Sequence, residues 1–504
     1  MTGTDGKNIS GNRKQSGIYD RIVKYTGVFG GVQAISLILA KIKSVLLGPE
    51  GYGISENLNR ATDLIKSSTN LGITTVAVPE ISQCSSLQDT EKIRDKVMLT
   101  RSWALLTAVV GMVVCMLCAP LLSRWAFDGD DKFTVGFIVL SLAVASAAVT
   151  GGETAILRGA GMLRQIALSQ LLSACLSLFI SAPLYWFMKY DGIVPALALV
   201  SVASMIVTCA FSFRRFPYRV CLFRWSYLKQ GTGMIRMGIY LTVTAFLGSW
   251  AWSFLAHYMT RQGGESLTGT YSAGYMLVTY LTTLLLSVTD SEYYPRLSAA
   301  GADMKQAHTI MNNQAMAMCM LAAPVVIAFI LLAPAIVYVA LQYEKFQMSI
   351  RLAQMAVIGL FFKSVSQPVA YLVLARSDSK VYLLQESLCY ILLIICVMVG
   401  YRIAGLVGVG LSFAVWELLY LILVLIVSRL RYGFGLSSSV VRNFLYQAIF
   451  VSIAAAGVFL GRAGFVAGVV MCVGSMAFSL LFFGKHTTFL PAFLSKILNK
   501  TLRR

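Results

Sequence analysis

The sequence predicts an all-α polytopic membrane protein of about 14 transmembrane helices, with two pseudo-symmetric six-helix lobes around a central cavity and two extra C-terminal helices. Three observations lead there: an apolar, charge-poor composition, a series of apolar runs each long enough to cross a bilayer, and an internal repeat.

Of the 504 residues, 57 % are hydrophobic and only 13 % charged, whereas an ordinary soluble chain is nearer half apolar and a quarter charged. A soluble enzyme is thereby excluded. The 42 Lys+Arg outnumber the 22 Asp+Glu, for a net charge of +20, but these bases flank the apolar runs and form no nucleic-acid-binding patch. The ten cysteines fall inside apolar runs or, for Cys84 and Cys221, in short loops, so no disulfide framework is implied. Cys115 and Cys118 sit mid-run without a nearby His, Asp or second pair, which reads as packing. The polar stretch from Met1 to Asp20 lacks the apolar core of a signal peptide and is expected to be retained and unstructured.

A hydrocarbon core of about 30 Å takes roughly 20 apolar residues per helical crossing. By that ruler the crossings fall at 24–48, 52–78, 99–123, 133–157, 165–188, 192–213, 235–259, 269–294, 312–340, 351–375, 381–401, 403–428, 441–460 and 464–484. Placing the N-terminus inside puts 28 of the 42 Lys and Arg on the cytoplasmic side, as short cytoplasmic loops require. Both termini are then cytoplasmic. The resulting organisation is a tail at 1–23, an N-lobe at 24–213, a basic connector at 214–234, a C-lobe at 235–430, the extra helices at 431–484 and a basic tail at 485–504. The connector and the final tail, where aromatic and aliphatic residues alternate with bases, read either as helices lying on anionic membrane lipid or as plain positive-inside loops.

The two halves resemble each other. The run from Gly53 to Val78-Pro79-Glu80-Ile81-Ser82 matches that from Gly269 to Tyr294-Pro295-Arg296-Leu297-Ser298, with the same Gly-to-Pro interval and a shift of 216. Ala119-Pro120 recurs as Ala333-Pro334, Gln170 as Gln385 and Gly192-Ile193-Val194 as Gly405-Leu406-Val407. Equivalent points are six crossings apart, so the repeats share one orientation, related by an axis along the membrane normal. In transporters built this way, a site lies between two bundles that rock against each other.

An ionised side chain at mid-bilayer costs at least about 2.5 kcal/mol, so such residues face a cavity or a partner. In the second crossing Glu56, Asn59, Arg60, Asp63, Lys66, Ser67 and Asn70 follow steps of three and four, hence one helical face. They read either as an Arg60–Asp63–Lys66 ladder or, with two bases against one acid, as a positive binding stripe. Lys363 lies at the centre of the tenth crossing, in Phe362-Lys363-Ser364-Val365-Ser366-Gln367-Pro368, where the proline frees backbone carbonyls. Its repeat-mate falls near Ala147, and a lone central lysine suggests ligand binding. Arg236, near the inner end of the seventh crossing, either snorkels or serves the cavity.

Glu417, Glu386 and Asp290 are each a candidate proton or sodium site, or a counter-ion for Lys363. Tyr275, Thr279 and Thr282 share one face of the eighth crossing, and Trp250, Ser253 and His257 one face of the seventh; both sets suit sugar contacts and helix packing alike. No G-x-x-x-x-G-K-[ST] phosphate loop occurs. The three histidines are scattered without ligand spacing, so neither a metal nor a cofactor is expected.

The stretch Leu46-Leu47-Gly48-Pro49-Glu50-Gly51-Tyr52-Gly53, the polar second crossing, Asn70-Leu71-Gly72-Ile73 and Ser366-Gln367-Pro368 together resemble Wzx-type polysaccharide flippases, also called O-antigen translocases. The resemblance covers about Lys24 to Arg431. It implies membership of the multidrug/oligosaccharidyl-lipid/polysaccharide exporter superfamily, and a substrate: an undecaprenyl-pyrophosphate-linked oligosaccharide moved to the periplasmic leaflet of a bacterial inner membrane for surface polysaccharide assembly. It further implies that Arg60, Lys66 and Lys363, matched by location, hold the pyrophosphate; Arg236, Asn59, Asn70 and Tyr275 are the further substrate-binding candidates. Asp63, Asp290, Glu386 and Glu417 are the coupling or counter-ion candidates, with drive from membrane potential, H+ or Na+. A polysaccharide polymerase or glycosyltransferases would be natural partners.

Three rivals are a cation-coupled multidrug antiporter of the same superfamily, whose cavity would carry surplus acid and aromatics, the lipid II flippase, which has fourteen crossings, and a membrane glycosyltransferase or ligase. The last needs a large outer loop with catalytic carboxylates. The short outer loops argue against an enzyme.

Overall fold

The computed structural model describes the backbone of residues 5–70, 72–86, 90–218, 220, 232–300, 303–376 and 378–485. Side chains are described within 30–484, apart from 71, 74–75, 85–90, 219, 221–237, 287–292, 294–295, 298–299, 301–302 and 377. The expected interfacial helices in the connector and the final tail therefore lie largely outside the described residues, as do the side chains of Arg236 and Asp290.

The described residues form helices joined by short turns, with no strand among them. In chain order they form α1 (Asp5–Thr69), α2 (Ile73–Ser86), α3 (Thr90–Ala126), α4 (Thr134–Gly159), α5 (Leu163–Met188), α6 (Ile193–Phe213) and α7 (Thr232–Ala299). The second half continues with α8 (Met304–Ala340), α9 (Gln347–Ala356), α10 (Ile358–Ala375), α11 (Ser379–Tyr432), α12 (Ser438–Gly457) and α13 (Gly461–Lys485). Ten segments among the described residues are long and apolar enough to cross a membrane. The chain is a multi-pass membrane protein.

Ten continuous segments are fewer than the fourteen crossings expected, and the difference has a structural cause. Four of the segments, at 30–69, 163–213, 238–286 and 379–432, are about twice the length one crossing needs and turn back on themselves. In α11 the turn is at Ala404 and Gly405, the latter at φ 57°, and side chains join its two arms in antiparallel order. Ser412 donates to the Cys396 carbonyl, Trp416 Nε1 to the Cys389 carbonyl and Tyr420 to Glu386.

The same device recurs at Gly263 and Gly264 in α7, where Thr260 and Thr268 meet at 2.9 Å. In α1 it is Gly48, at φ 65°, followed by Pro49 in the first turn of the next arm, where proline fits because no intrahelical N–H is needed. A 3₁₀ turn at Lys189–Gly192 joins α5 to α6.

Two expectations about ends are corrected. The polar N-terminal stretch was expected to be unstructured, but α1 begins at Asp5; once a long helix exists, adding residues to it avoids the cost of nucleation. The second crossing was expected to reach 78, but it ends at Thr69. Gly72 adopts φ 63°, and the chain restarts as α2.

Packing divides the chain. One apolar core draws on residues from Leu47 to Ala196, another on residues from Leu255 to Phe483 joined by Tyr52, and a small third on residues from Val76 to Ile156. Between the halves, the repeat-mates Gly53 and Gly269 face each other. A Cβ added to Gly53 would overlap the Glu265 carbonyl, and one added to Gly269 would overlap the Pro49 carbonyl. Pro49 and Glu265 are themselves related by the shift of 216, so the contact is reciprocal. The C-terminal pair α12 and α13 is fastened to α8 by a buried polar cluster: Ser475 donates to Gln447, Gln447 to Ser479, and Ser479 to the Met320 carbonyl. Such bonds hold helices together where lipid offers no hydrophobic drive.

Candidate functional site

A cavity of about 270 Å³ opens among α7, α10 and both arms of α11. Its polar lining is Lys363 and Gln367 from α10 with Glu386 and Glu417 from α11, and its walls are aromatic, including Trp252, Tyr275 and Trp416. Lys363 Nζ donates to Glu417 Oε1 at 2.8 Å. Glu417 is nearly buried, at 6 % side-chain exposure against 33 % for Lys363, and its Oε2 has no hydrogen-bond partner among the described residues. Glu386 accepts from Tyr420 at 2.7 Å, and Tyr420 in turn accepts from Gln385.

The tenth crossing was expected to loosen at Pro368. It is a continuous helix from Ile358 to Ala375, and Tyr293 donates to the Pro368 carbonyl at 2.6 Å.

Aromatic rings tie Arg60 to this cavity from the other half of the chain. The Arg60 guanidinium lies 5.4 Å from the Trp252 ring, Lys363 Nζ lies 5.7 Å from the Trp416 ring, and the two indoles meet edge to face at 6.4 Å. Tyr275 stacks on Phe413 at 4.4 Å and packs against Trp252 at 4.7 Å. Cations over indole faces gain about 0.5–2 kcal/mol, more as water is excluded. Ser253 donates to the Arg60 carbonyl, fixing α1 against α7 at this level.

The structure thus brings Lys363, Glu386, Glu417 and Tyr275 into one cavity; Arg60 is outside its lining and is linked to it through the Trp252 ring. It does not bring Lys66 and Asp63 there: they pair with each other at 3.0 Å, with Asp63 half exposed. The surplus positive stripe on the second crossing is corrected as well. Arg60 Nε donates to Glu56 Oε1 at 2.7 Å, the favoured arrangement of an acid four residues before a base, so two bases meet two acids. Asn59 is half-buried on the same arm, and Asn70 is at its end, where its carbonyl accepts from the Ile73 N–H. Thr279 and Thr282 donate to carbonyls of their own helix, and His257 stacks on Trp125.

One charged pair escaped sequence reasoning. Arg101 and Glu153 are almost fully buried, at 2 % and 3 % side-chain exposure. The two bonds to the carboxylate are 2.7 and 3.0 Å, and Arg101 also donates to Ser212 and to the Phe216 and Pro217 carbonyls. By position Arg101 reads as one of the cytoplasmic loop bases, yet it lies within α3. The available signal was Glu153: an acid inside an apolar run demands a partner.

The model of a family described as polysaccharide biosynthesis protein matches residues 42–350, more than half of the chain. The chain belongs to the polysaccharide biosynthesis protein family. No curated protein sequence matches this family member. Among solved structures it is similar to the lipid II flippase MurJ in an inward closed conformation, at a TM-score of 0.66 and 12 % identity, over 92 % of this chain and 99 % of that one. It is also similar to an inward-facing multidrug resistance MATE family transporter of the MOP superfamily, at 0.59 and 16 % identity, over 81 % and 94 %. A third match is the Vibrio cholerae MATE transporter VcmN in the bent form, at 0.58 and 14 % identity, over 86 % and 99 %. The polysaccharide biosynthesis family member thus shares the all-α fold of a flippase and of drug transporters.

Proposed function

We propose that the protein is a flippase. It carries an undecaprenyl-pyrophosphate-linked oligosaccharide from the cytoplasmic to the periplasmic leaflet of a bacterial inner membrane, for surface polysaccharide assembly. The observation that carries this reading is the pair of cations, Arg60 and Lys363, drawn from the two halves of the chain onto the two rings of one tryptophan pair. Each cation has a carboxylate partner, Glu56 or Glu417, so a diphosphate would have to compete with or rearrange those pairs to bridge the halves, while the rings beside them suit sugar faces.

The lobes, at 24–213 and 235–430, would rock in alternating access, with both termini cytoplasmic. A glycan cannot cross hydrocarbon unaided, because each unsatisfied polar group costs several kcal/mol; a wet cavity removes that cost. Direction would come from membrane potential acting on a charged cargo, at about 2.3 kcal/mol per charge per 100 mV, or from H+ or Na+ at Glu417, Glu386 or Asp290. Polymerase or glycosyltransferase partners would supply and receive the cargo.

A second reading, a cation-coupled drug antiporter, is favoured by one feature: two carboxylates face one lysine in the aromatic cavity lining. The lipid II flippase reading draws on the fold shared with MurJ.

The deciding experiment reconstitutes the protein in vesicles with a fluorescent undecaprenyl-pyrophosphate oligosaccharide and follows leaflet transfer. Transfer by wild type that is lost in Lys363→Ala and kept in Cys115→Ala supports the proposal. Absence of transfer by folded wild type under an imposed potential, with efflux of an organic cation instead, would shift the assignment to the antiporter. Transfer of lipid II alone would shift it to the MurJ-like activity.

A further inference from the structure

A second cavity, larger than the central one at about 380 Å³, lies at the basic end of the N-terminal half, where the start of α3, the α4–α5 turn and the end of α6 converge. Arg94, Arg101 and Arg215 line it with apolar walls that include Val97, Met162 and Phe216, and among the described residues no acidic one is in the lining. Arg101 is fully engaged by Glu153, Ser212 and two carbonyls, so it contributes a rigid wall. Arg94 and Arg215 are exposed, and among the described residues neither makes an ion pair.

Two guanidinium groups from different parts of the fold, neither in an ion pair among the described residues, beside apolar walls ask for a ligand with an anionic head and an apolar body. The pocket stands apart from the central cavity, whose lining comes from α7, α10 and α11. Basic pockets between helices at a membrane interface are the setting in which acidic lipid headgroups are held, and guanidinium forks match phosphate oxygens two at a time.

From this geometry we infer that the cavity bounded by Arg94, Arg215 and Phe216 is a binding site for the phosphate headgroup of an anionic phospholipid. The apolar walls favour a lipid over free phosphate, since a free anion gains nothing from them. Seated there, the lipid would bear on the segment at Phe216 and Pro217 through which the N-terminal half leads into the connector.

Native mass spectrometry of the purified, delipidated full chain, titrated with phosphatidylglycerol, phosphatidylcholine or inorganic pyrophosphate, tests the inference. Wild type should retain phosphatidylglycerol over phosphatidylcholine. The double variant Arg94→Gln with Arg215→Gln should bind phosphatidylglycerol about thirtyfold more weakly, from roughly one charge-headgroup interaction per arginine. Arg94→Lys with Arg215→Lys should keep most of the preference, and thermal unfolding of both variants should match wild type because both side chains are exposed. Equal phosphatidylglycerol retention by wild type and the glutamine variant would overturn the inference. Displacement of the lipid by equimolar pyrophosphate would overturn the lipid assignment in favour of a free-anion site.

Discussion

Lys363 Nζ lies 2.8 Å from Glu417 Oε1, while the other oxygen of that carboxylate has no hydrogen-bond partner among the described residues. The pair is therefore satisfied on one side only, and Glu417 keeps an acceptor in reserve beside the cavity. Removing one member of a buried ion pair leaves an uncompensated charge at a cost of about 3–5 kcal/mol, whereas replacing both with apolar groups is often neutral. With Lys363 a third exposed, Lys363→Met and Glu417→Leu alone should each destabilise by no more than about 3 kcal/mol. The double variant should recover most of that stability. Thermal unfolding in detergent reads the first quantity and vesicle transfer the second: recovery of stability without transfer marks a working pair, and recovery of both would reduce it to scaffold.

Arg101 and Glu153 present the fully buried case. Arg101→Met or Glu153→Gln should cost about 3–5 kcal/mol, since each strands a charge or a fork of donors. Arg124→Ala, at an exposed pair with Asp131, should cost far less than either, because water screens an exposed pair. Denaturant titration of the three variants side by side checks the ranking.

At Gly53 and Gly269 there is no room for a side chain, because each position abuts the backbone of the other half. Gly53→Val and Gly269→Val should both separate the halves there, and by reciprocity to a similar degree. A cysteine placed at Asn57, which donates to Thr260 across the same seam, should then react faster with a water-soluble maleimide in either variant. Gly30→Ala, with open space around it, should leave the rate unchanged.

Trp252 receives Arg60 on its ring and packs with Tyr275, Phe413 and Trp416. Trp252→Ala should lower stability by about 3–5 kcal/mol, as large-to-small changes in packed sites do, and should weaken cargo binding further. Trp252→Phe should restore much of the packing but less of the binding, because indole holds cations best. Comparing unfolding with ligand titration separates the two effects.

The sequence announced its helices through length and apolarity, and the turns at Gly48-Pro49, Gly263-Gly264 and Gly405 fall in or beside the gaps between successive apolar runs. Lys363, Glu386 and Glu417 stood out because charge in an apolar run needs a reason. Their convergence did not stand out, since which face of α11 meets α10 depends on how its two arms close, and that is a tertiary choice. The pairing of Arg60 with Glu56 was open to a local rule, yet the nearer Asp63 drew attention first. Arg101 was hidden for a different cause: near a helix end a base looks like a loop residue until its partner, in another helix, is seen.

The reciprocal seam at Gly53 and Gly269 also restricts how the two halves can change over time. Elsewhere the halves need not match, as Lys363 and its repeat-mate near Ala147 illustrate. At the seam one position supplies the gap that the other half's backbone fills, so a bulky residue accepted on one side closes the space on both, and the two sites can vary only together.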